Sequence, residues 1–208
     1  MRARTGISGA CPSDPVRQSS GVMARSLAAQ AMPFQQHGTR ISVRQPTRIE
    51  LEGSPHPIVL RYRTQRLLLA RIHQLQVCVT VTGETGPSEP CTMELSHRGK
   101  ENGPNWTCRG GRTVVNGPTG VAIEALARTV DLVSCTADWS PATGQWHFCI
   151  EPYAGSHLRV YFPPITYTTT LDPREAGVIS GALAELSTML PGRKDKRTTH
   201  LESAGGTV

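Results

Sequence analysis

Apolar and polar residues alternate along three short segments in the first half of the chain. The segments are 40–44, 48–52 and 57–63, with apolar positions at Ile41, Val43, Ile49, Leu51, Ile58, Leu60 and Tyr62. Alternation with a period of two is typical of half-buried β-strands. It resumes at 75–81, whereas 67–72 fits a helix or a strand, so we expect a small antiparallel sheet. Four arginines fall on its outer face: Arg40, Arg44, Arg61 and Arg63.

The segment 133–151 has the pattern of a β-hairpin. Pro141 and Gly144 favour a four-residue loop that pairs Ser140 with Gln145. This register produces an unbroken apolar face from three opposed pairs: Trp139 with Trp146, Ala137 with Phe148, and Cys135 with Ile150. It also places Cys135 and Cys149 on different faces. We therefore expect no disulfide between these two cysteines.

A third strand and a helix are predicted to complete this unit. The strand, 157–162, would follow the loop 152–156 and pair Glu151 with His157. Asp172, Pro173 and Glu175 then have the spacing of a helix N-cap, first helical residue and capping-box acid. The helix has an apolar stripe that should cover the apolar face of the three strands: Ile179, Ala182, Leu183, Leu186 and Leu190. Its opposite side carries small residues, which would suit a homodimer or an exposed face.

These elements predict an α+β fold, with a small antiparallel β-meander packed on a C-terminal helix. A basic β-rich segment and a disordered N-terminus would precede it. The expected divisions are a disordered extension (1–38), a basic antiparallel β segment (39–82), a Gly/Pro-rich linker or loop (83–118), a unit of a short helix, three-stranded meander and capped helix (119–190), and a disordered basic tail (191–208).

Charge is distributed unevenly along the chain. Residues 1–80 carry 11 Arg against three acids, whereas the whole protein has a net charge of +6. This half would suit nucleic acid or an acidic protein as a partner, although a solvated basic face gives the same composition. Tyr62 is the one residue of the basic β segment suited to base stacking, which argues against a single-strand-binding barrel.

The predicted register also collects polar residues on the opposite face of the meander. Its three rows are Asp138–His147–Tyr161, Thr136–Cys149–Arg159 and Ser134–Glu151–His157. They suggest a Cys149 nucleophile with His147 as base and Asp138 as orienting group, because Arg159 beside Cys149 would favour the thiolate. The same face could bind a metal through its two histidines, Glu151 and Asp138, or act only as a solvated surface that contacts a partner.

The six cysteines form no C-x-x-C motif. A zinc site from Cys78, Cys91, His97 and Cys108 has the right ligands but no familiar spacing. The N-terminus shows no secretory signal, so a cytoplasmic location is expected, with organellar import as an alternative for a eukaryotic chain.

We therefore expect a non-enzymatic binding or accessory module without a cofactor and without a membrane as partner. Its binding residues would be Arg40, Arg44, Arg61, Arg63, Arg159, His157, Glu151 and Tyr161. A small thiol- or metal-dependent enzyme that uses the polar face of the C-terminal sheet is the alternative.

Overall fold

A computed structural model describes residues 15–83, 87–96, 104–108, 114–115 and 120–189. Three helices lie within these residues: α1 Pro15–Gln35, α2 Val121–Thr129 and α3 Pro173–Met189. Eleven strands accompany them: β1 Arg40–Gln45, β2 Arg48–Glu52, β3 Ile58–Arg66, β4 Ala70–Thr82, β5 Cys91–Ser96, β6 Asn105–Cys108, β7 Val114–Val115, β8 Leu132–Ser140, β9 Gln145–Pro152, β10 His157–Val160 and β11 Ile165–Thr168. The α+β class is confirmed.

All eleven strands belong to one sheet. Its main order is β1-β2-β3-β4-β9-β8-β5-β6-β7, while β10 pairs with β4 and with β11. The strands from the basic segment and those of the C-terminal unit join because β4 pairs antiparallel with β9. The sequence had placed these strands in separate units.

The core lies on one side of this sheet, which we call the covered face. Leu60, Val77 and Phe148 are fully buried there together with Phe34 of α1 and Ile179 of α3. The period-two apolar positions predicted for β2, β3, β4, β8 and β9 point to this side, whereas a bulge in β1 turns Val43 away from it. Four residues of the predicted α3 stripe, Ile179, Ala182, Leu183 and Leu186, are buried as expected, and the fifth, Leu190, lies outside the described residues. Alternation along the strands thus decides which sheet face the helices cover.

The β8–β9 hairpin and the start of α3 have the structure predicted from their local sequence. Strands β8 and β9 pair Ser140 with Gln145 and Trp139 with Trp146, as predicted. At the start of α3, the Arg174 amide donates to Asp172 Oδ1 at 2.7 Å and the Asp172 amide donates to Glu175 Oε2 at 3.1 Å. These two bonds form the predicted capping box.

The expectation of disorder over 1–38 is wrong for its second half, because α1 begins at Pro15. Leu27, Ala31 and Phe34 of this helix are fully buried. Gln30 fixes the helix to the segment before α3, since its side chain donates to the Thr169 carbonyl at 3.2 Å and accepts from the Leu171 amide at 2.9 Å. Residues 1–14 lie outside the described part of the chain, as do 191–208.

The reading of 83–118 as a linker or irregular loop also needs correction. Its described parts supply β5, β6 and β7 at one end of the sheet. Strand β5 pairs with β8, so that Met93 lies opposite Ala137, and Trp106 of β6 is buried. The three strands are short, at six, four and two residues, and glycine and proline are common between short strands in general.

The pairing predicted for the third strand of the meander is wrong. Strand β10 does not fold back on β9 but continues beside β4, where His157 lies opposite His73. Ile150 and His157 are seven residues apart, but their partners on β4, Val77 and His73, are only four residues apart. The loop after β9 is therefore a bulge with three extra residues. Its Gly155 has a φ of +80° and lies too close to Leu75 for a β-carbon.

Replacement of Phe34 by Ala should destabilise the protein strongly, because α1 contributes to the core. We expect a loss of about 3–5 kcal/mol in the free energy of unfolding, measured by denaturant titration. Met32→Ala in the same helix is the control, since Met32 is 58% exposed, and its effect should stay within about 0.5 kcal/mol. Equal effects of the two substitutions would show that α1 is not packed as described.

Candidate functional site

The face opposite the helices, which we call the polar face, brings Cys149 together with Cys78 of β4. Cys78 and Cys149 lie directly opposite each other, with Cα atoms 4.2 Å apart, and form a disulfide. Cys149 is also buried, with 6% of its surface exposed. The predicted thiolate nucleophile is therefore a disulfide partner in this structure. Cys135 points to the covered face and is a free, buried thiol.

His147 and Asp138 lie beside this disulfide in a row of four strands. Asp138 lies opposite His147 as predicted, but it accepts a hydrogen bond from Thr92 of β5 at 2.6 Å. The His147 Nδ1 is 3.1 Å from the hydroxyl of Thr80. Burial lowers the pKa of His147, and Arg61 lowers it further, while Asp138 opposes them. The imidazole is thus biased toward its neutral form.

A second network on the polar face surrounds Glu151, whose carboxylate is almost fully buried. Arg63 donates to its Oε2 and Gln76 to its Oε1, both at 2.7 Å. Arg61 in turn donates to Gln76 Oε1 at 2.8 Å. Arg61 and Arg63 are therefore engaged in contacts that stabilise the sheet, and Glu151 has its partners within the fold.

The correction to β10 moves three predicted site residues away from this face. Arg159 lies opposite Arg71 instead of beside Cys149, and His157 is on the other side of the sheet from Glu151. Tyr161 follows β10 and is not beside His147. The predicted metal set of His147, His157, Glu151 and Asp138 is therefore divided between two faces.

The zinc ligands proposed from the sequence are not assembled either. Cys78 is paired on the polar face, whereas Cys91 and Cys108 contact each other with sulfur atoms 3.8 Å apart. His97 lies outside the described residues. Cys91 and Cys108 face the covered side, because Cys91 pairs with Trp139 and Cys108 with Met93.

The irregularity after β9 creates a second site, in a four-stranded extension made of the ends of β3 and β4 with β10 and β11. Here Arg66 lies directly opposite Arg71, and Arg71 directly opposite Arg159. We call these three residues the arginine row. Opposed cross-strand residues have β-carbons about 5 Å apart, and like charges at that distance destabilise a sheet.

In the part of the chain that the structure describes, no carboxylate forms an ion pair with the arginine row. The ion pairs of the described residues involve Arg48, Arg63 and Arg128, and none includes a member of the row. The Nε atom of Arg71 is buried without a hydrogen-bond partner. Arg48 and Arg61 are also directly opposed, but they differ from the row because Arg48 forms an ion pair with Glu50 at 2.6 Å. The like charges of Arg48 and Arg61 are thus partly compensated by Glu50, whereas no ion pair of the described residues compensates the row.

Two histidines adjoin the row on the same side of the sheet. His73 and His157 are opposed, with ring centroids 5.8 Å apart, and each Nδ1 contacts a threonine hydroxyl, Thr64 at 2.9 Å and Thr168 at 2.7 Å. Burial lowers the pKa of His73, with further lowering by His157 and Arg71. Burial and then Arg159 lower the pKa of His157.

The end of the extension exposes large apolar side chains on two adjacent turns, which we call the hairpin tips. They are Leu67, Leu68 and Leu69 after β3, and Tyr161, Phe162 and Ile165 around the β10–β11 turn. The tips are joined, since the Tyr161 amide donates to the Leu69 carbonyl at 2.8 Å. The Arg159 guanidinium lies over the Tyr161 ring, 5.8 Å from its centroid.

The remaining predicted arginines do not form a stripe with this site. Arg40 lies opposite Glu52 on the edge strand β1, and a bulge between Ile41 and Val43 turns Arg44 toward the side of Ile49. Arg66 and Arg71 were missed because 67–72 had no clear period. The sequence feature that could have indicated the row is the absence of acidic residues from 61–76 and 156–171.

Residues 33–190 match the family described as Protein of unknown function (DUF3156). The match covers more than half of the chain, so the protein belongs to this family. No curated protein and no solved structure matches the chain. Membership assigns a family but no activity.

Acidification should destabilise the protein through the two opposed histidines. Because their pKa values are lower in the fold than the usual 6.5, the unfolded chain takes up protons first as the pH falls. Stability is then full above about pH 6.5 and is lost below it. We expect the thermal midpoint to fall less between pH 7.5 and 5.5 in the His73→Gln/His157→Gln variant than in the parent protein. An equal fall in both proteins would exclude these histidines as the cause.

Proposed function

We propose that the protein is a non-enzymatic binding module that holds phosphate groups of an anionic partner on the arginine row. The observation that carries this proposal is the direct opposition of Arg66, Arg71 and Arg159 without a compensating carboxylate among the described residues. A phosphate bound between these arginines would attract all of them and offset their mutual repulsion. Of this row, Arg159 is among the binding residues expected from the sequence, whereas Arg66 and Arg71 are not.

Arginine chemistry supports phosphate as the ligand group. The planar guanidinium donates two parallel hydrogen bonds to a phosphate and stays charged at all physiological pH values. Three such groups on neighbouring strands are spaced for one phosphate or for two adjacent ones. The segments 61–76 and 156–171, which form the extension, contain arginines and no acid, so their field also attracts polyanions from a distance.

A charge-matched comparison tests this function. Arg71→Gln/Arg159→Gln should weaken binding of a fluorescent polyphosphate at least tenfold, as measured by anisotropy at low salt, and should reduce the salt dependence of binding. Arg128→Gln/Arg174→Gln removes the same charge from exposed helix positions and should leave affinity within about twofold. A parent protein that fails to bind polyphosphate, or equal losses in both variants, would refute the assignment.

The polar face supports a second candidate, a thiol-based metal site. The sulfur atoms of Cys78 and Cys149 and a ring nitrogen of His147 all lie within 4.8 Å of one another. A dithiol reductant would convert the disulfide to two thiols and itself become a disulfide. Two thiolates and an imidazole then form a ligand set suited to Zn²⁺, with a fourth position left for another ligand.

Zinc titration of the reduced protein tests this candidate. We expect one Zn²⁺ per chain by native mass spectrometry after reduction, and none after reoxidation of Cys78 and Cys149 by hydrogen peroxide, which is reduced to water. His147→Gln should weaken zinc binding at least tenfold. Cys91→Ser/Cys108→Ser removes the other close thiol pair and should not change the stoichiometry. Loss of zinc in that control, or retention in both variants, would exclude the site.

A further inference from the structure

We propose that the anionic partner is the surface of a phospholipid bilayer, which the extension approaches with its hairpin tips first. The tips would enter the interfacial layer while the arginine row binds lipid phosphates. This inference rests on the proposed phosphate-binding function of the row. It adds the class of partner and the orientation of the protein on it.

The exposure of the tips is the first reason. Leu68 is 95% exposed and Phe162 is 78% exposed, on turns that project from the end of the sheet. Isolated exposed apolar residues are ordinary, but a contiguous set on two joined turns marks an interaction surface. Because Leu68 and Phe162 are so largely exposed on their turns, they fit a medium that can be penetrated better than they fit a flat partner.

The chemistry of the tips matches the bilayer interface. Phe162 and the leucines are apolar throughout, whereas Tyr161 and Tyr167 have a hydroxyl on an apolar ring and are also exposed. Such amphipathic rings concentrate at the level of lipid headgroups. Leucine and isoleucine side chains do not stack on bases, so nucleic acid would leave most of this surface unused.

The position of the arginine row gives the third reason. Arg66 immediately precedes Leu67, and Arg159 is two residues before Tyr161. At about 3.3 Å per residue, the row therefore lies roughly 3–7 Å behind the tips along the strands. Amphipathic elements bury their apolar side about 5–10 Å into the headgroup and acyl boundary. Arginines at that spacing reach the phosphates while the tips contact acyl chains.

Charge along the extension complements an anionic leaflet. Over residues 61–76 and 156–171 every charged side chain is basic or is a histidine, so no carboxylate there would be forced against lipid phosphates. Each basic residue near an anionic surface adds to its attraction for the membrane. Among the described helices, none has the length and apolar content needed to cross a bilayer. The contact would be peripheral.

Vesicle flotation with paired variants tests the inference. We expect the parent protein to float with phosphatidylcholine vesicles that contain 30% phosphatidylglycerol, and not with pure phosphatidylcholine. Leu68→Ser/Phe162→Ser should bind anionic vesicles at least tenfold more weakly and should bind polyphosphate as the parent does. Arg71→Gln/Arg159→Gln should lose both ligands. Val121→Ser/Met32→Ser changes two exposed apolar residues elsewhere and should retain both.

The possible outcomes distinguish failure of the bilayer inference from failure of the phosphate-binding function. Binding of polyphosphate without binding of anionic vesicles overturns the bilayer inference and leaves the phosphate-binding function intact. Binding of neither ligand overturns both. Unchanged flotation of the tip variant also overturns the inference. A tip variant that loses binding to single-stranded DNA instead identifies a nucleic acid partner, and one that converts a dimer to a monomer during size exclusion identifies a second copy of the chain.

Discussion

The whole structure depends on the pairing of β4 with the three strands beside it. This strand is 13 residues long, pairs with all nine residues of β3, and holds β9 and then β10 along its other edge. Its alternation buries Leu75, Val77, Val79 and Val81 beneath the helices. Both candidate sites are built on the same strand, since Cys78 lies on one side of it and Arg71 on the other.

The two sites differ in how their charges are compensated. On the polar face, Glu151 accepts from Arg63 and Gln76, so its buried carboxylate is compensated within the chain. In the extension, three guanidinium groups are opposed with no carboxylate among the described residues to offset them. A buried acid is compatible with a stable sheet when its hydrogen-bond and charge partners are present. A row of uncompensated cations reduces stability in isolation, and this is why we assign it to an external anion.

Local chemistry allowed much of the fold to be predicted, and long-range pairing accounts for the errors. The turn residues Pro141 and Gly144 set the register of Trp139 and Trp146, and Asp172 capped α3 as its spacing indicated. Nothing local distinguishes a hairpin loop over 152–156 from a bulge that continues beside β4. The pairing of Cys78 with Cys149 and the arginine row both depend on that distinction. The weakly patterned N-terminus likewise conceals α1, whose helical state depends on burial of Leu27 and Phe34.

Several early segments of the chain are completed by late ones. Gln30 bonds to the backbone at Thr169 and Leu171, and the carboxylate of Glu185 on α3 accepts from the amides of Ala122 and Ile123 at the start of α2. A ribosome makes residues 169–189 after the strands that α1 and α3 cover. The helical layer over the covered face is therefore completed only once α3 has been synthesised, and until then the apolar strands β2, β3, β4, β8 and β9 lack part of their cover.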